Sequence, residues 1–144
     1  MPHTYSSCFL HAVFSTKRRQ RILSSTTRER LWPFLEGVAR QNGFRMIAAN
    51  GSDDHLHLLL KIPSTIAIAK AIQVLKKRTS TFMGKPSAWQ EGYAAVTINA
   101  SEVEETSAYI ERQSELHAAK TFEEEYIAFL KKHGIRFDLR YVFD

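Results

Sequence analysis

Residues 44–62, which read FRMIAANGSDDHLHLLLKI, indicate a β-hairpin that organises the rest of the chain. Phe44 to Ala49 is an apolar run typical of a strand, and Asn50-Gly51 is a dipeptide favoured at hairpin turns. The return strand is predicted from His55 to Ile62. Pro63 ends it, because proline has no backbone N–H to offer a sheet.

On each side of the hairpin, the sequence predicts one helix and one strand. Thr4–Thr16 is rich in strand-forming residues, and a helix opened by the capping-box pair Thr26 and Glu29 follows it. Because Pro33 disfavours a continuous helix, that helix is expected to begin just before the proline, after a separate turn. After the hairpin, one helical stripe consists of Ile68, Ile72, Leu75, Thr79 and Phe82. A fourth strand is predicted over Tyr93–Ile98.

The order of these elements predicts an α+β fold of the ferredoxin-like, split βαβ type, with an antiparallel sheet and helices packed on it. Two more helices should follow, one from the capping pair Ser101 and Glu104 to about His117, the other from the pair Thr121 and Glu124. The tail alternates apolar and polar residues from Ile135 onward and is expected to be extended and docked.

Composition indicates one domain spanning residues 1–144, with 44% hydrophobic residues and a net charge of +5. Cys8 is the only cysteine, which excludes an intramolecular disulfide and a multi-cysteine zinc site. The N-terminal apolar run precedes its charges, the reverse of a signal peptide, so a cytoplasmic protein is expected. A modest positive charge favours an anionic partner such as nucleic acid.

Two basic clusters are candidates for contacts with DNA phosphates. They comprise Lys17, Arg18, Arg19 and Arg21 in a loop, and Lys70, Lys76, Lys77 and Arg78 on a helix. The alternative for any single member is an ordinary solvated charge.

The triplet His55-Leu56-His57 places two imidazoles on one face of a strand, roughly 7 Å apart along the chain. Such a pair on the open face of a sheet could hold one cation, with Asp54 in a supporting position behind it. The alternative is a chance pair of surface histidines.

The helix begun by Ser101 carries Tyr109, Gln113 and His117 on one stripe. A tyrosine oxygen can attack phosphorus and form a covalent link to DNA, and a cation beside it can polarise the phosphate. Gln113 could supply a third ligand, while His117 fits a supporting or a surface position. The alternative for Tyr109 is a tyrosine that packs on the sheet.

Together these residues resemble the single-tyrosine HUH transposases of the insertion-sequence 200/605 type. The specific part is the HUH triplet His55-Leu56-His57 followed later by Tyr109-Ile110-Glu111-Arg112-Gln113. Further segments carry the resemblance nearly end to end: Val13-Phe14-Ser15-Thr16-Lys17, Trp89-Gln90-Glu91-Gly92-Tyr93 and Asp138-Leu139-Arg140-Tyr141-Val142-Phe143-Asp144. The family often has paired histidines after the glutamine, where this chain has Leu116-His117.

The resemblance implies a transposase that cuts and rejoins single-stranded DNA through a 5′-phosphotyrosine intermediate and binds DNA hairpins at element ends. Tyr109 would be the nucleophile, and His55, His57 and Gln113 the ligands of Mg²⁺ or Mn²⁺. It also implies a homodimer in which each site combines the histidines of one subunit with the tyrosine helix of the other.

Two other functions remain open on the residues alone. One is a catalytically silent or domesticated nucleic-acid-binding protein of the same fold, which would not need the set of histidines, tyrosine and glutamine. The other is a zinc-type hydrolase built on the histidine pair, with Asp53, Asp54 or Glu104 as general base.

Overall fold

The computed structural model describes residues 3–113 and 121–144. Its strands are β1 Phe9–Ser15, β2 Arg45–Gly51, β3 His55–Lys61 and β4 Ala94–Ile98. Its helices are α1 Ser25–Gln41, α2 Ile68–Met83, α3 Val103–Glu111 and α4 Phe122–Lys132, with short 3₁₀ turns at Lys17–Arg19 and Ala100–Glu102. The predicted end of the tyrosine helix near His117 lies outside the described residues. Within these residues, no helix is both long and apolar enough to cross a bilayer.

The four strands form one antiparallel sheet in the order β2-β3-β1-β4, which confirms the predicted ferredoxin-like arrangement. The two central strands pair along their whole length, from Phe9 opposite Lys61 to Ser15 opposite His55. This register puts the start of β3, and with it the histidine pair, next to the end of β1.

The hairpin between β2 and β3 turns later than predicted. Asn50 and Gly51 lie inside β2, opposite His57 and Leu56, so the prediction of a turn at Asn50-Gly51 was wrong. The turn is formed by residues 52–54 and is closed by the Ser52 N–H, which donates to the His55 carbonyl at 3.0 Å. Gly51 is needed there for close packing rather than for a turn, because a Cβ would lie 2.2 Å from the His55 carbonyl oxygen.

The helix α1 begins before the predicted capping pair and runs through Pro33 without a break. Its N-cap is Ser24, whose side chain accepts from the Thr27 N–H at 3.2 Å, so the predicted cap at Thr26 was wrong. Pro33 is exposed, so its ring faces solvent instead of the core, and its missing N–H removes one helical hydrogen-bond donor.

The first face of the sheet packs against α1 and α2. Its core joins alternate residues of the two central strands to the buried stripes of both helices: Leu10, Ala12, Phe14, Leu56, Leu58, Leu60, Leu31, Leu35, Val38, Ile72 and Leu75. Because each fully buried leucine contributes about 1.5–3 kcal/mol, this core fixes which side of β3 faces inward. The histidines of β3 must therefore face the other side.

The second face is covered by α3, α4 and the C-terminal tail. Thr121 caps α4 by accepting from the Glu124 N–H at 3.2 Å, as predicted. The packed residues on this side are Val13, Ala94, Phe122, Tyr126, Phe129 and Leu130, with Ile135, Phe137, Val142 and Phe143 from the tail.

The tail is docked as predicted, but part of it is not extended. Residues 139–143 form turns, and Leu139 and Tyr141 are 73% and 61% exposed. The cause is local, since the Asp138 carboxylate accepts from the backbone and the guanidinium of Arg140 and folds the chain back. Alternation therefore failed to predict burial at these two residues.

Candidate active site

The histidine pair lies on the second face of the sheet, beneath α4. The rings of His55 and His57 are 5.3 Å apart, and the side chains share a face as the triplet predicted. Both are covered rather than open, at 0% and 1% exposure, and the His55 ring lies 4.5 Å from the ring of Phe122. The pair therefore belongs to a closed site between the sheet and α4.

Glu125 on α4 is the site residue that sequence reasoning missed. Its carboxylate oxygens lie 3.0 Å from His57 Nε2 and 4.0 Å from His55 Nε2. One ligand atom from each of these three residues falls within 4.8 Å of the other two, which is close enough to hold one metal ion. A signal was present, because Glu125 interrupts the apolar stripe of Phe122, Tyr126 and Phe129, where a carboxylate requires a partner.

Asp54 orients the first histidine. Its carboxylate lies 2.7 Å from His55 Nδ1, so the ring directs its other nitrogen toward Glu125. A histidine that binds a metal commonly has such a carboxylate on its second nitrogen. The backbone of Asp54 is fixed in turn, because its carbonyl accepts from the Thr16 N–H at 2.8 Å.

Tyr109 reaches the same carboxylate from α3. Its hydroxyl donates to Glu125 Oε1 at 2.8 Å, and its ring centroid lies 5.9 Å from that of His57. Ile110 anchors α3 by complete burial, and the side-chain amide of Asn50 donates to the Glu111 carbonyl at 2.9 Å. The structure thus brings the predicted tyrosine to the predicted histidines within one chain.

The start of α3 differs in detail from the prediction. The capping box is Asn99 with Glu102, whose carboxylate accepts from the Asn99 N–H at 3.1 Å, and not Ser101 with Glu104. The short 3₁₀ turn Ala100–Glu102 precedes α3, so the reciprocal bonds form two residues earlier.

Burial keeps Tyr109 in its phenol form. It raises the pKa of the hydroxyl to about 12, and the hydrogen bond to Glu125 and the charge of that carboxylate act in the same direction. Gln113 acts in the opposite direction on this pKa. The phenol proton is therefore held between the tyrosine oxygen and a carboxylate, where it can be transferred.

His11 on β1 is a second residue that the sequence did not reveal as part of the site. Its Nε2 lies 3.0 Å from His57 Nδ1, and its ring is 5.9 Å from Tyr109 and 4.9 Å from Phe129. Burial lowers the pKa of His11 to about 3, and the neighbouring His57 acts in the same direction. His11 is therefore a neutral imidazole at physiological pH.

The site's residues also match a known sequence pattern. The sequence model of a family described as "Transposase IS200 like" matches residues 4–113, which include His55, His57, Tyr109 and Gln113. The chain belongs to the IS200-like transposase family.

Known relatives of this IS200-like chain are themselves transposases. The chain is 26% identical over 114 residues to the ISDra2 transposase TnpA of Deinococcus radiodurans, covering 72% of this chain and 81% of that protein. It is also 26% identical over 83 residues to the transposase for insertion sequence element IS200 of Salmonella typhimurium, covering 58% and 55% of the two chains.

Two solved structures share the IS200-like fold. One is a putative transposase from Deinococcus radiodurans, with a TM-score of 0.63, 23% identity and coverage of 78% of this chain and 95% of that one. The other is a REP-associated tyrosine transposase bound to a REP hairpin, with a TM-score of 0.60, 19% identity and coverage of 78% and 70%. At these identities the likeness establishes the α+β fold of the family.

Gln113, the last residue of the family match, is completely buried one turn after the tyrosine. Its side-chain nitrogen donates to the Tyr109 carbonyl at 3.4 Å. Its role as a metal ligand stays a prediction, and His117 lies outside the described residues.

In the two basic clusters of this IS200-like transposase, some residues are held by contacts within the protein and others are exposed. Arg19 forms an ion pair with Glu123 and lies 5.0 Å over the ring of Phe143, and therefore fastens α4 and the tail to the loop after β1. The Lys76 amine donates to the carbonyls of Gln90 and Gly92, both at 2.8 Å, and burial lowers its pKa to about 8. The exposed members are Lys17, Arg18, Arg21, Lys70, Lys77 and Arg78.

The exposed residues of the two clusters lie at different places on the fold. Lys17 and Arg18 follow β1 beside the Asp54 end of the site, where the Thr16 N–H meets the Asp54 carbonyl. Lys77 and Arg78 lie on α2, which packs on the opposite face. The phosphate contacts predicted for both clusters stay predictions, and the first pair is the better placed to meet DNA at the site.

Proposed function

We propose that this chain is a transposase that cleaves and rejoins single-stranded DNA with Tyr109 as nucleophile and a divalent metal ion held by His55 and His57. The observation that carries the proposal is the position of Glu125. One carboxylate joins the tyrosine hydroxyl, at 2.8 Å, to the second histidine of the pair, at 3.0 Å. A tyrosine, a carboxylate and two imidazoles in one closed site form a reaction centre rather than packing residues.

In the proposed cleavage step, the Tyr109 oxygen attacks phosphorus while its proton passes to Glu125. The bond from phosphorus to the 3′-oxygen breaks, and that oxygen leaves as a 3′-hydroxyl after taking up a proton. The DNA 5′-phosphate stays bound to the tyrosine oxygen. Because one phosphodiester has been exchanged for another, attack by a 3′-hydroxyl reverses the step and reseals a strand.

The residues present fit a divalent cation. Two imidazoles and a carboxylate are ordinary ligands for such an ion, and their atoms lie within 4.8 Å of one another. We propose Mg²⁺ or Mn²⁺ in a weak, exchangeable site, with the Gln113 amide oxygen as a further ligand. The nitrogen ligands favour Mn²⁺ of the two, because Mg²⁺ prefers oxygen. When bound, the ion would polarise the scissile phosphate and spread its negative charge.

The partners that fit this proposal are single-stranded DNA and DNA hairpins. The structural neighbour bound to a REP hairpin supports the second of these. We also propose a homodimer whose sites combine the histidines of one subunit with the tyrosine helix of the other. In the structure of the single chain, Tyr109 lies beside His57 of the same chain. In the proposed dimer, the tyrosine of the other subunit would take this place.

The second candidate is a nucleic-acid-binding protein of this family that does not cut DNA. What favours it is the closure of the site, because His55 and His57 are 0% and 1% exposed under α4 and a phosphate could not reach them in this arrangement. The family match and the Tyr109–Glu125 contact favour the transposase over the zinc-type hydrolase.

A covalent-adduct assay distinguishes the two candidates. The protein is incubated with labelled single-stranded oligonucleotides carrying a hairpin and with Mn²⁺, then run on a denaturing gel. The wild type should form an adduct that EDTA abolishes. Tyr109→Phe should bind DNA without forming one, whereas Tyr141→Phe, which alters an exposed tyrosine, should match the wild type. An undiminished adduct in Tyr109→Phe would exclude Tyr109 as the nucleophile.

A further inference from the structure

His11 is a buried imidazole that makes a direct contact with one of the two candidate metal-binding histidines. It lies on β1, the central strand next to β3, and its Nε2 is 3.0 Å from His57 Nδ1. The rings are 5.3 Å apart, and Phe129 packs edge-on against His11 at 4.9 Å. His57 is therefore contacted on both nitrogens, by His11 on Nδ1 and by Glu125 on Nε2.

The contact requires a proton on one of the two facing nitrogens, because each neutral imidazole has one N–H and one lone pair. In the chain without a cation, the 3.0 Å approach of His57 Nε2 to Glu125 Oε1 is favourable when the proton is on Nε2. The Nδ1 atom of a neutral His57 then accepts, and His11 Nε2 donates.

If His57 held the cation through Nε2, these roles would be reversed. The Nε2 lone pair would then be used for the ion, so the ring proton would lie on Nδ1 and need an acceptor. His11 Nε2 lies opposite that atom, at 3.0 Å. His11 can accept if its own proton moves to Nδ1, and each ring then keeps one proton.

We propose that His11 is a positioning residue that switches between donor and acceptor and so sets the tautomer in which His57 binds the cation. The inference rests on the proposed function, since it requires a cation at His57. A histidine suits residue 11 because its Nε2 can donate in one tautomer and accept in the other. An aliphatic side chain of similar size would leave the Nδ1–H of His57 buried without this acceptor.

Three variants separate the polar role of His11 from its packing. His11→Leu removes both donor and acceptor, and His11→Gln restores both, because an amide can present either its oxygen or its NH₂ group. Phe129→Leu is the matched control, since it loosens the packing on His11 without altering a polar atom. The folding of each variant is checked by circular dichroism and urea unfolding.

The first measurement is the affinity of the DNA-free protein for Mn²⁺, which is determined by electron paramagnetic resonance. Loss of a group that supports a metal ligand typically weakens affinity by about 10–100-fold, and this is the loss expected for His11→Leu. His11→Gln should recover most of it, and Phe129→Leu should remain near the wild type.

The second measurement reads the tautomer directly through ¹H–¹⁵N correlations of the histidine rings. Adding Mg²⁺ to the wild type should move the His57 proton from Nε2 to Nδ1 and the His11 proton from Nε2 to Nδ1. A change in packing alone would not move these signals between nitrogens.

The outcomes separate the inference from the proposed function. If the wild type binds Mn²⁺ and His11→Leu binds it equally well, or if Mg²⁺ leaves both ring protons in place, the inference is wrong and the metal site stands. If the wild type binds no divalent ion, both fail. Should His11→Leu not fold, the wild-type ring signals and the His11→Gln affinity decide alone.

Discussion

The Tyr109 hydroxyl donates a 2.8 Å hydrogen bond to Glu125 Oε1, so residues from two different helices meet above the histidine pair. The same oxygen lies 3.0 Å from His57 Nε2. Glu125 is thus placed to act in two ways, as a metal ligand and as the acceptor of the tyrosine proton. Both roles predict that the site depends on a residue beyond the family match, which ends at residue 113.

Replacing Glu125 tests its part in metal binding. Glu125→Gln keeps the shape of the side chain but removes its charge, and Mn²⁺ affinity should fall at least about tenfold, the size of effect seen when support for a metal site is removed. Glu124→Gln is the control, because it makes the same change at an exposed residue of the same helix. Equal Mn²⁺ affinity in Glu125→Gln and the wild type, measured by titration, would remove Glu125 from the ligand set.

The partly buried amine of Lys76 predicts a pH-dependent difference in stability. Burial lowers its pKa to about 8 in the folded chain from 10.5, so between these pH values the unfolded chain binds a proton that the folded chain has released. The free energy of unfolding should therefore rise with pH across this window, and the contribution is lost as pH falls through 8. Lys76→Met lacks the amine and should lack this rise.

Urea unfolding of both proteins from pH 7.5 to 10.5 measures the effect. Other titrating groups are common to the two proteins, so the difference between their unfolding free energies isolates Lys76. A constant difference across the range would show that the amine is not perturbed.

The basic residues should differ in their contribution to DNA binding. Lys17 and Arg18 are exposed beside the site, whereas the Lys76 amine is held by backbone carbonyls. Replacing Lys17 or Arg18 by Gln should reduce the slope of log affinity against log salt by about 0.7–0.9 for each DNA phosphate that the protein then leaves unneutralised. Lys76→Met should leave the slope unchanged. Fluorescence anisotropy across a salt series gives these slopes, and equal slopes in all the proteins would exclude a role for Lys17 and Arg18 in binding phosphates.

Mixed dimers test whether sites are shared between subunits. One parent carries Tyr109→Phe and the other His55→Ala, so neither can complete a site alone. If sites are shared, random mixing makes half of the dimers mixed with one complete site each, and about a quarter of wild-type cleavage should return. Cleavage of a labelled oligonucleotide is the readout, and tagged subunits confirm that mixed dimers form. No recovery in confirmed mixed dimers would support the arrangement described here, with Tyr109 serving its own chain.

The fold could be predicted because its signals are local and repeated. Alternation along β3 placed His55 and His57 opposite Leu56 and Leu58, and the order of elements indicated the split βαβ arrangement. The Asn50-Gly51 turn was wrong because a good turn dipeptide was overruled by pairing with His57 and Leu56. A favourable turn dipeptide stabilises the hairpin less than burial of the apolar face of β3, and this burial fixes the register of the strand.

The site was only half predictable. Tyr109 and the histidines belong to short motifs, but Glu125 and His11 join them through contacts across the fold, between α4, β1 and β3. Nothing in the spacing of His11 from His57 indicates that the two rings meet, because that depends on the register of β1 against β3. The backbone contacts of Lys76 were not predicted for the same reason, since the carbonyls that accept from its amine belong to residues 90–92, across a turn of the fold. Its contact with DNA stays a prediction.

Locating the covalent bond to DNA tests whether Tyr109 is the nucleophile. The wild-type protein is reacted with a single-stranded hairpin oligonucleotide and Mn²⁺, the adduct is digested with nuclease and protease, and the peptides are fragmented in a mass spectrometer. We expect a nucleotide 5′-phosphate on the Tyr109 side chain and on none of the other tyrosines. A phosphate attached to a different residue, or cleavage that leaves every peptide unmodified, would show that Tyr109 does not attack the DNA.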